Sequence, residues 1–240
     1  MEARKERGLP ALLPTALPNI MKLPLITPSL VTYTKGKPVS RGYIDARIRE
    51  INALGLKEIS LFVTGYEKKG RDYVHEKLKT TGIVSIPHVH IRADQTEHEV
   101  RHYMETYGTR RFTTHYEYIP YFTKFSADVR ACIGIENNND FKLDKKLDRF
   151  GGLVIDLSHY VDVREQGIAR DIERALERLP VLVNHASAVT AASESRHFAR
   201  SVQQYAYLRT MPKKCFSEVV SLEIGNTLAA QLSLDRKSVV

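Results

Sequence analysis

The chain has 240 residues, 42% of them hydrophobic and 27% charged, an ordinary globular composition that excludes a disordered, collagen-like or low-complexity protein. A formal charge of +8 suits a polyanion or a phosphorylated small molecule as partner, and no apolar run reaches the roughly eighteen residues that a membrane helix needs. Two cysteines, Cys132 and Cys215, are too few for a disulfide framework or a four-thiolate zinc site, so a cytoplasmic, reducing location is expected and any metal must rest on His, Asp and Glu.

In chain order, the opening stretch MEARKERGLPALLPTALPNI mixes acids with bases and is broken by Pro10, Pro14 and Pro18. It reads as a peripheral or disordered arm over 1–21, neither a membrane span nor a signal or transit peptide, with residues 22–240 forming one domain. Eight β-branched or apolar runs then follow: LPLITPSLVTY at 23–33, EISLFVT at 58–64, IVSIPHVHI at 83–91, RFTTHYEYI at 111–119, ACIGIE at 131–136, LVIDL at 153–157, VLVNH at 181–185 and VVSLEI at 219–224.

Between several of these runs the period lengthens to that of a helix. Ile44, Ile48, Ile51 and Leu54 make one apolar stripe, Val100, Tyr103, Met104 and Tyr107 a second, and Ile168, Ile172, Ala175, Leu176 and Leu179 a third. Asp94 with Glu97 and Asp162 with Glu165 have capping-box spacing and predict two helix starts just after strands. The segment YFTKFSADV leaves room only for a turn or a stub of helix, and NNNDFKLDKKLDRFGG is short and polar. Strands alternating with helices imply parallel pairing with right-handed crossovers, and eight such strands predict an α/β fold, a small (β/α)₈ TIM barrel.

In such a barrel the chemistry sits where strands end. Strand three carries His88 and His90, two apart and so on one face; strand four has His115, strand five Glu136, strand six Asp156 with His159 just beyond, strand seven His185 and strand eight Glu223. Carboxylates and imidazoles converging on one barrel mouth would be costly to bury without a cation to share, so a divalent-metal site is expected. Mixed oxygen and imidazole ligands leave Mn, Co, Zn or Mg open. Lys68, Lys69, Arg71, Arg110 and Arg111 read as solvated charges, and the rings of Tyr116, Tyr118 and Tyr121 either stack on a ligand or pack the mouth. No glycine-rich phosphate loop is present, so no nucleotide cofactor is implied.

The segments IGIENNN, LVIDLSH, VLVNHAS and VVSLEIG, in this order and spacing, resemble the xylose isomerase-like TIM barrels, which include sugar isomerases and epimerases and the endonuclease IV type of AP endonucleases. The resemblance covers most of residues 22–235, strongest from 110 to 226 and weak before 80. It implies Glu136, Asp156, His185 and Glu223 as the metal ligands, with His159 as the second member of a D-x-x-H pair. In the epimerase branch it also implies that Glu136 and Glu223 are the catalytic acid and base, acting on a sugar or sugar phosphate through a metal-stabilised enediolate. His159, by the resemblance, and Arg196 can hold substrate oxygens there, Arg196 being otherwise a solvated helix residue.

The nuclease branch uses three zinc ions and extra histidines, which His88 or His90 and His115 can supply. Its Asp-x-His pair would end at His197, but Ser195 stands where the aspartate belongs, which weakens a zinc-dependent reading on abasic DNA. A third reading is a barrel that binds a ligand without turning it over. The expected partners are therefore a small sugar or sugar phosphate first, nucleic acid second, and no membrane.

Overall fold

The structure, a computed structural model, describes residues 24–34, 37–138, 141–165, 169–190 and 195–238; the arm over 1–21 and Ile168 lie outside them. Eight parallel strands form the sheet: β1 in two segments, Leu25–Thr27 and Ser29–Val31, then β2 (Ser60–Phe62), β3 (Val89–His90), β4 (Phe112–His115), β5 (Ile133–Glu136), β6 (Gly152–Asp156), β7 (Val181–Ala186) and β8 (Val219–Leu222). Each of β2 to β8 pairs in parallel with its neighbours in sequence order. The expected α/β barrel is what the chain forms.

Closure runs through a proline. The first segment of β1 pairs with β8 and the second with β2, and the two segments flank Pro28. A proline has no N–H for a ladder, and here the strand changes partner at the residue that lacks one. The Pro28 carbonyl still accepts from Ser60 N at 2.9 Å. Inside this seam the hydroxyls of Thr27, Ser60 and Ser221 form a buried chain, 2.6 Å from Thr27 to Ser60 and 2.8 Å from Ser60 to Ser221.

The outer layer is α1 (Arg41–Leu54), α2 (Lys68–Leu78), α3 (Glu97–Tyr107), α4 (Ile119–Phe122), α5 (Ala127–Arg130), α6 (Leu157–Glu165), α7 (Arg170–Ala175) and α8 (Leu228–Ser238). The stripes of α1 and α3 are buried at Ile44, Ile48, Ile51, Val100, Tyr103 and Tyr107. Leu54 is 41% exposed because α1 stops there, with Gly55 in the left-handed conformation at φ 62° as its cap. The stub expected between strands four and five is α4 and α5, four residues each. No described helix is long and apolar enough to cross a membrane.

Two helix starts differ from expectation. Helix α3 is capped by Thr96, whose side chain accepts from Glu99 N while Glu99 accepts from Thr96 N, two residues later than Asp94 and Glu97. Asp94 is taken instead by Arg71, at 3.0 Å, and by Arg92, at 3.0 Å. Arg71 is not solvated: it is fully buried and also holds Glu99 at 3.0 Å. Helix α6 begins at Leu157 directly after β6, five residues before Asp162, because the Asp156 carboxylate accepts from the N–H groups of Ser158 and His159.

Candidate metal centre

The C-terminal ends of β3 to β8 carry the candidate ligands. His90, His115, Glu136 and Asp156 are the last residues of β3, β4, β5 and β6; His185 lies one before the end of β7 and Glu223 one past β8. Parallel register sets His115 beside Glu136 and His185 beside Asp156. His159 stands on the first turn of α6, and His197 follows a short antiparallel hairpin, Ala188–Val189 with Ser195–Arg196.

Glu136 is the hub, and its two oxygens face different groups. Oε2 lies 3.5 Å from His90 Nε2 and 3.4 Å from His115 Nε2, whereas Oε1 lies 3.5 Å from His185 Nδ1 and 3.8 Å from His159 Nδ1. His185 Nδ1 is also 3.3 Å from Glu223 Oε2, and His197 Nδ1 is 3.9 Å from Glu223 Oε1. The donor atoms of Glu136, Asp156, His185 and Glu223 all lie within 4.8 Å of one another, as do those of His90, Glu136 and His185.

Hydrogen bonding leaves this cluster incomplete. Asp156 Oδ1 accepts from Ser158 N, Ser158 Oγ and His159 N at 2.8, 2.6 and 2.9 Å, while Oδ2 is buried with no hydrogen bond among the described residues. Glu136 Oε2, Glu223 Oε2, His185 Nδ1 and both ring nitrogens of His90 are in the same condition. Three carboxylates and two imidazoles with unmet buried atoms at one point are a donor set fit for a divalent cation of borderline hardness.

The electrostatics agree. Burial opposes ionisation of Glu136, but the facing imidazoles of His185, His90 and His115 hold its carboxyl well below the usual range. Burial would strip the proton from His185, yet Glu136 and Glu223 outweigh it and raise the ring to about 10. The same contest, burial against Glu136, raises His115 to about 8. In His90 burial wins over the Glu136 carboxylate and the ring is pushed well below its ordinary value.

A cavity of about 1070 Å³ opens above the cluster. His90, His115, Glu136, His159, His197 and Glu223 reach it, with Tyr33, Tyr118, Tyr121, Arg92 and Lys124 on its walls. His88 does not line it. That ring is fully buried one layer below, its Nε2 2.8 Å from Thr113 Oγ1 and 3.4 Å from His185 Nε2. Arg196 is exposed on the hairpin rather than on a helix, and borders a neighbouring cavity. Thr113, Tyr33, Arg92 and Lys124 were not legible as site residues; only the inward parity of Thr113 with His115 on one strand hinted at its place.

The fold and the site together define a (β/α)₈ barrel with a carboxylate and imidazole cluster at its C-terminal mouth. No protein-family model matches the chain, and no curated protein matches it. Twelve solved chains do. One is a D-allulose 3-epimerase from Methylomonas sp. in complex with D-allulose, 11% identical, covering 88% of this chain and 90% of that chain with a TM-score of 0.43.

Proposed function

We propose that the protein is a divalent-metal-dependent isomerase or epimerase that moves a proton beside the carbonyl of a sugar or sugar phosphate. The observation that carries this reading is the placement of Glu136 and Glu223: both reach the same cavity, both face His185 Nδ1, and each keeps an oxygen without a hydrogen bond among the described residues. Glu136, Asp156, His185 and Glu223 would hold the ion, which supplies positive charge where the substrate oxygen becomes anionic.

Proton movement then falls to the chain. Glu136 is ionised at neutral pH, the state that a proton acceptor needs. A second carboxylate, Glu223, lets removal and redelivery occur on different faces of the carbon, which inverts it. His159 and His197 border the cavity and orient substrate oxygens through their ring nitrogens, and the exposed face of Tyr121 offers a flat wall for sugar carbons.

A second reading, metal-dependent phosphoester hydrolysis, is favoured by one feature. His90 and His115 crowd the Glu136 oxygen opposite the one that faces His185, an arrangement in which Glu136 can be shared between two cations. One experiment separates the readings. The metal-loaded protein is incubated in D₂O with ketoses and their phosphates, and deuterium at the carbon beside the carbonyl is read by NMR, with metal content measured in parallel. Exchange that disappears in Glu223→Gln, at about one ion per chain, supports the first. Two or three ions, no exchange and cleavage of an abasic duplex overturn it.

A further inference from the structure

A second cavity, of about 730 Å³, adjoins the metal cavity and shares Tyr33 and His197 with it. Its described lining carries cations without acids. Among the described residues it is bordered by Arg196 and Arg200 and by no carboxylate, whereas Asp94, Glu97, Glu136 and Glu223 all border the metal cavity. Arg92, on the metal side, is committed to Asp94 at 3.0 Å. The Arg200 guanidinium has no hydrogen bond or ion pair among the described residues, although its backbone N–H is fixed by Gln204 Oε1 at 2.6 Å.

The loop that carries both arginines is held in place. Ala199 N donates to Asn226 Oδ1 at 2.8 Å, Asn226 Nδ2 donates back to Ala199 O at 2.7 Å, and Gly225 N donates to His197 O at 2.8 Å. These bonds tie the loop to the segment after β8, which also carries Glu223, so the backbone that bears Arg200 keeps a fixed position relative to the metal cavity. Phe198 and Tyr33, both exposed, border the second cavity as apolar surface beside the two cations.

We infer that this second cavity is a phosphate subsite, so that the substrate of the metal cavity is a sugar phosphate rather than a free sugar. The inference rests on the isomerase reading for the sugar end and on the second cavity for the phosphate. Asp94, Glu97 and Glu223 on the walls of the metal cavity repel an anion that the divalent ion does not hold, whereas the Arg200 guanidinium fork matches phosphate oxygens. The shared wall at Tyr33 and His197 lets one molecule reach both: its carbonyl end lies over Glu136 and Glu223 while its phosphate lies by Arg200.

The test uses glycerol 3-phosphate, with glycerol as the uncharged control. Binding to the full-length chain is followed by ³¹P NMR, both metal-loaded and after chelation, in wild type, Arg200→Gln and Glu223→Gln. Arg200 is exposed, so its replacement leaves the core untouched. The expected result is binding in wild type and Glu223→Gln, with and without metal, weakened about tenfold or more in Arg200→Gln. Absence of binding, or binding that Arg200→Gln leaves unchanged, overturns the subsite. Ketose turnover that favours neither phosphates nor Arg200 also overturns it and leaves the isomerase standing. Arg200-dependent binding without deuterium exchange in any ketose phosphate overturns the isomerase and leaves the subsite standing.

Discussion

The hydroxyl of Thr113 lies 3.1 Å from Nε2 of His185, on the side of the ring opposite the nitrogen that faces Glu136 and Glu223. The same hydroxyl lies 2.8 Å from His88 Nε2, so a fully buried imidazole and a threonine together fix how His185 is turned. Partners of this kind set ring orientation and basicity in metal sites. Thr113→Val keeps the shape and removes the hydroxyl. Divalent-metal affinity is expected to fall about tenfold to a hundredfold, read by competition with a chelator. Unchanged affinity would mean that His185 is held by packing alone.

Asp156 does two jobs with two oxygens. Oδ1 caps α6 through Ser158 and His159, and Oδ2 is the buried oxygen without a hydrogen bond. In Asp156→Asn the amide oxygen still caps the helix, while the charge at the cluster is lost. The variant is expected to keep the thermal midpoint of the metal-free protein and to purify without metal. Full metal content in the variant would remove Asp156 from the ligand set.

Proton linkage gives a separate check. Without metal, His185 carries its proton at neutral pH because its value is raised to about 10 by Glu136 and Glu223. Coordination needs the neutral ring, so metal binding expels about one proton and strengthens as pH rises toward that value. Titration calorimetry in two buffers of different ionisation heat should show this release at pH 7. Heats independent of the buffer would exclude His185 as a ligand.

Stability should fall in acid for a reason outside the site. His75 on α2 packs against Tyr103 at 4.7 Å and His102 at 5.1 Å on α3, with Asp72, Arg71 and Glu99 also near, and burial pushes it down to about 4. Its folded value lies below its unfolded value of 6.5, so the unfolded chain binds the proton first. The contribution is complete above pH 6.5 and is lost as pH falls toward 4. The span is worth at most about 3 kcal/mol, and about 1–2 kcal/mol once partial exposure is allowed for. Urea melts of wild type and His75→Phe at pH 7 and 4.5 should show the variant losing less on acidification by that amount. Parallel loss in both proteins would refute the assignment.

Arg71 supports the loop that leads into α3. It is fully buried, and it pairs with Asp94, which is 42% exposed, and Glu99, which is 12% exposed. Arg71→Met leaves Glu99 short of its partner in a nearly dry position, at a cost of about 2–4 kcal/mol, the lower end reflecting water at Asp94. For a chain of this length that lowers the thermal midpoint by roughly 5–15 °C, measurable by calorimetry. A stable variant would show that the pair sets geometry rather than stability.

Much of the architecture was written in local pattern. Alternation of period two with period 3.6 gave eight strands and their helices, and the ends of parallel strands fall on one edge whatever the tertiary detail. Thus Glu136, Asp156, His185 and Glu223 could be set at one mouth from the sequence, and the structure places their donor atoms within 4.8 Å of one another. Pattern was silent where charge chose between partners. Asp94 reads as a helix cap, but the buried Arg71 guanidinium claims it, and Thr96 caps α3 instead.

Depth was the other thing that only the tertiary structure decided. His88 and His90 share one strand face, so their parity is identical, yet His90 reaches the cavity and His88 lies a layer below against Thr113. Parity is a property of a single strand, whereas depth depends on the stagger of all eight around the closed barrel. The placement of Arg200 beside a cavity that no described carboxylate borders is likewise invisible in sequence, because the residues around it come from segments far apart in the chain. Short-range sterics and periodicity determine which face a residue takes, and long-range closure determines how deep it sits and what it meets.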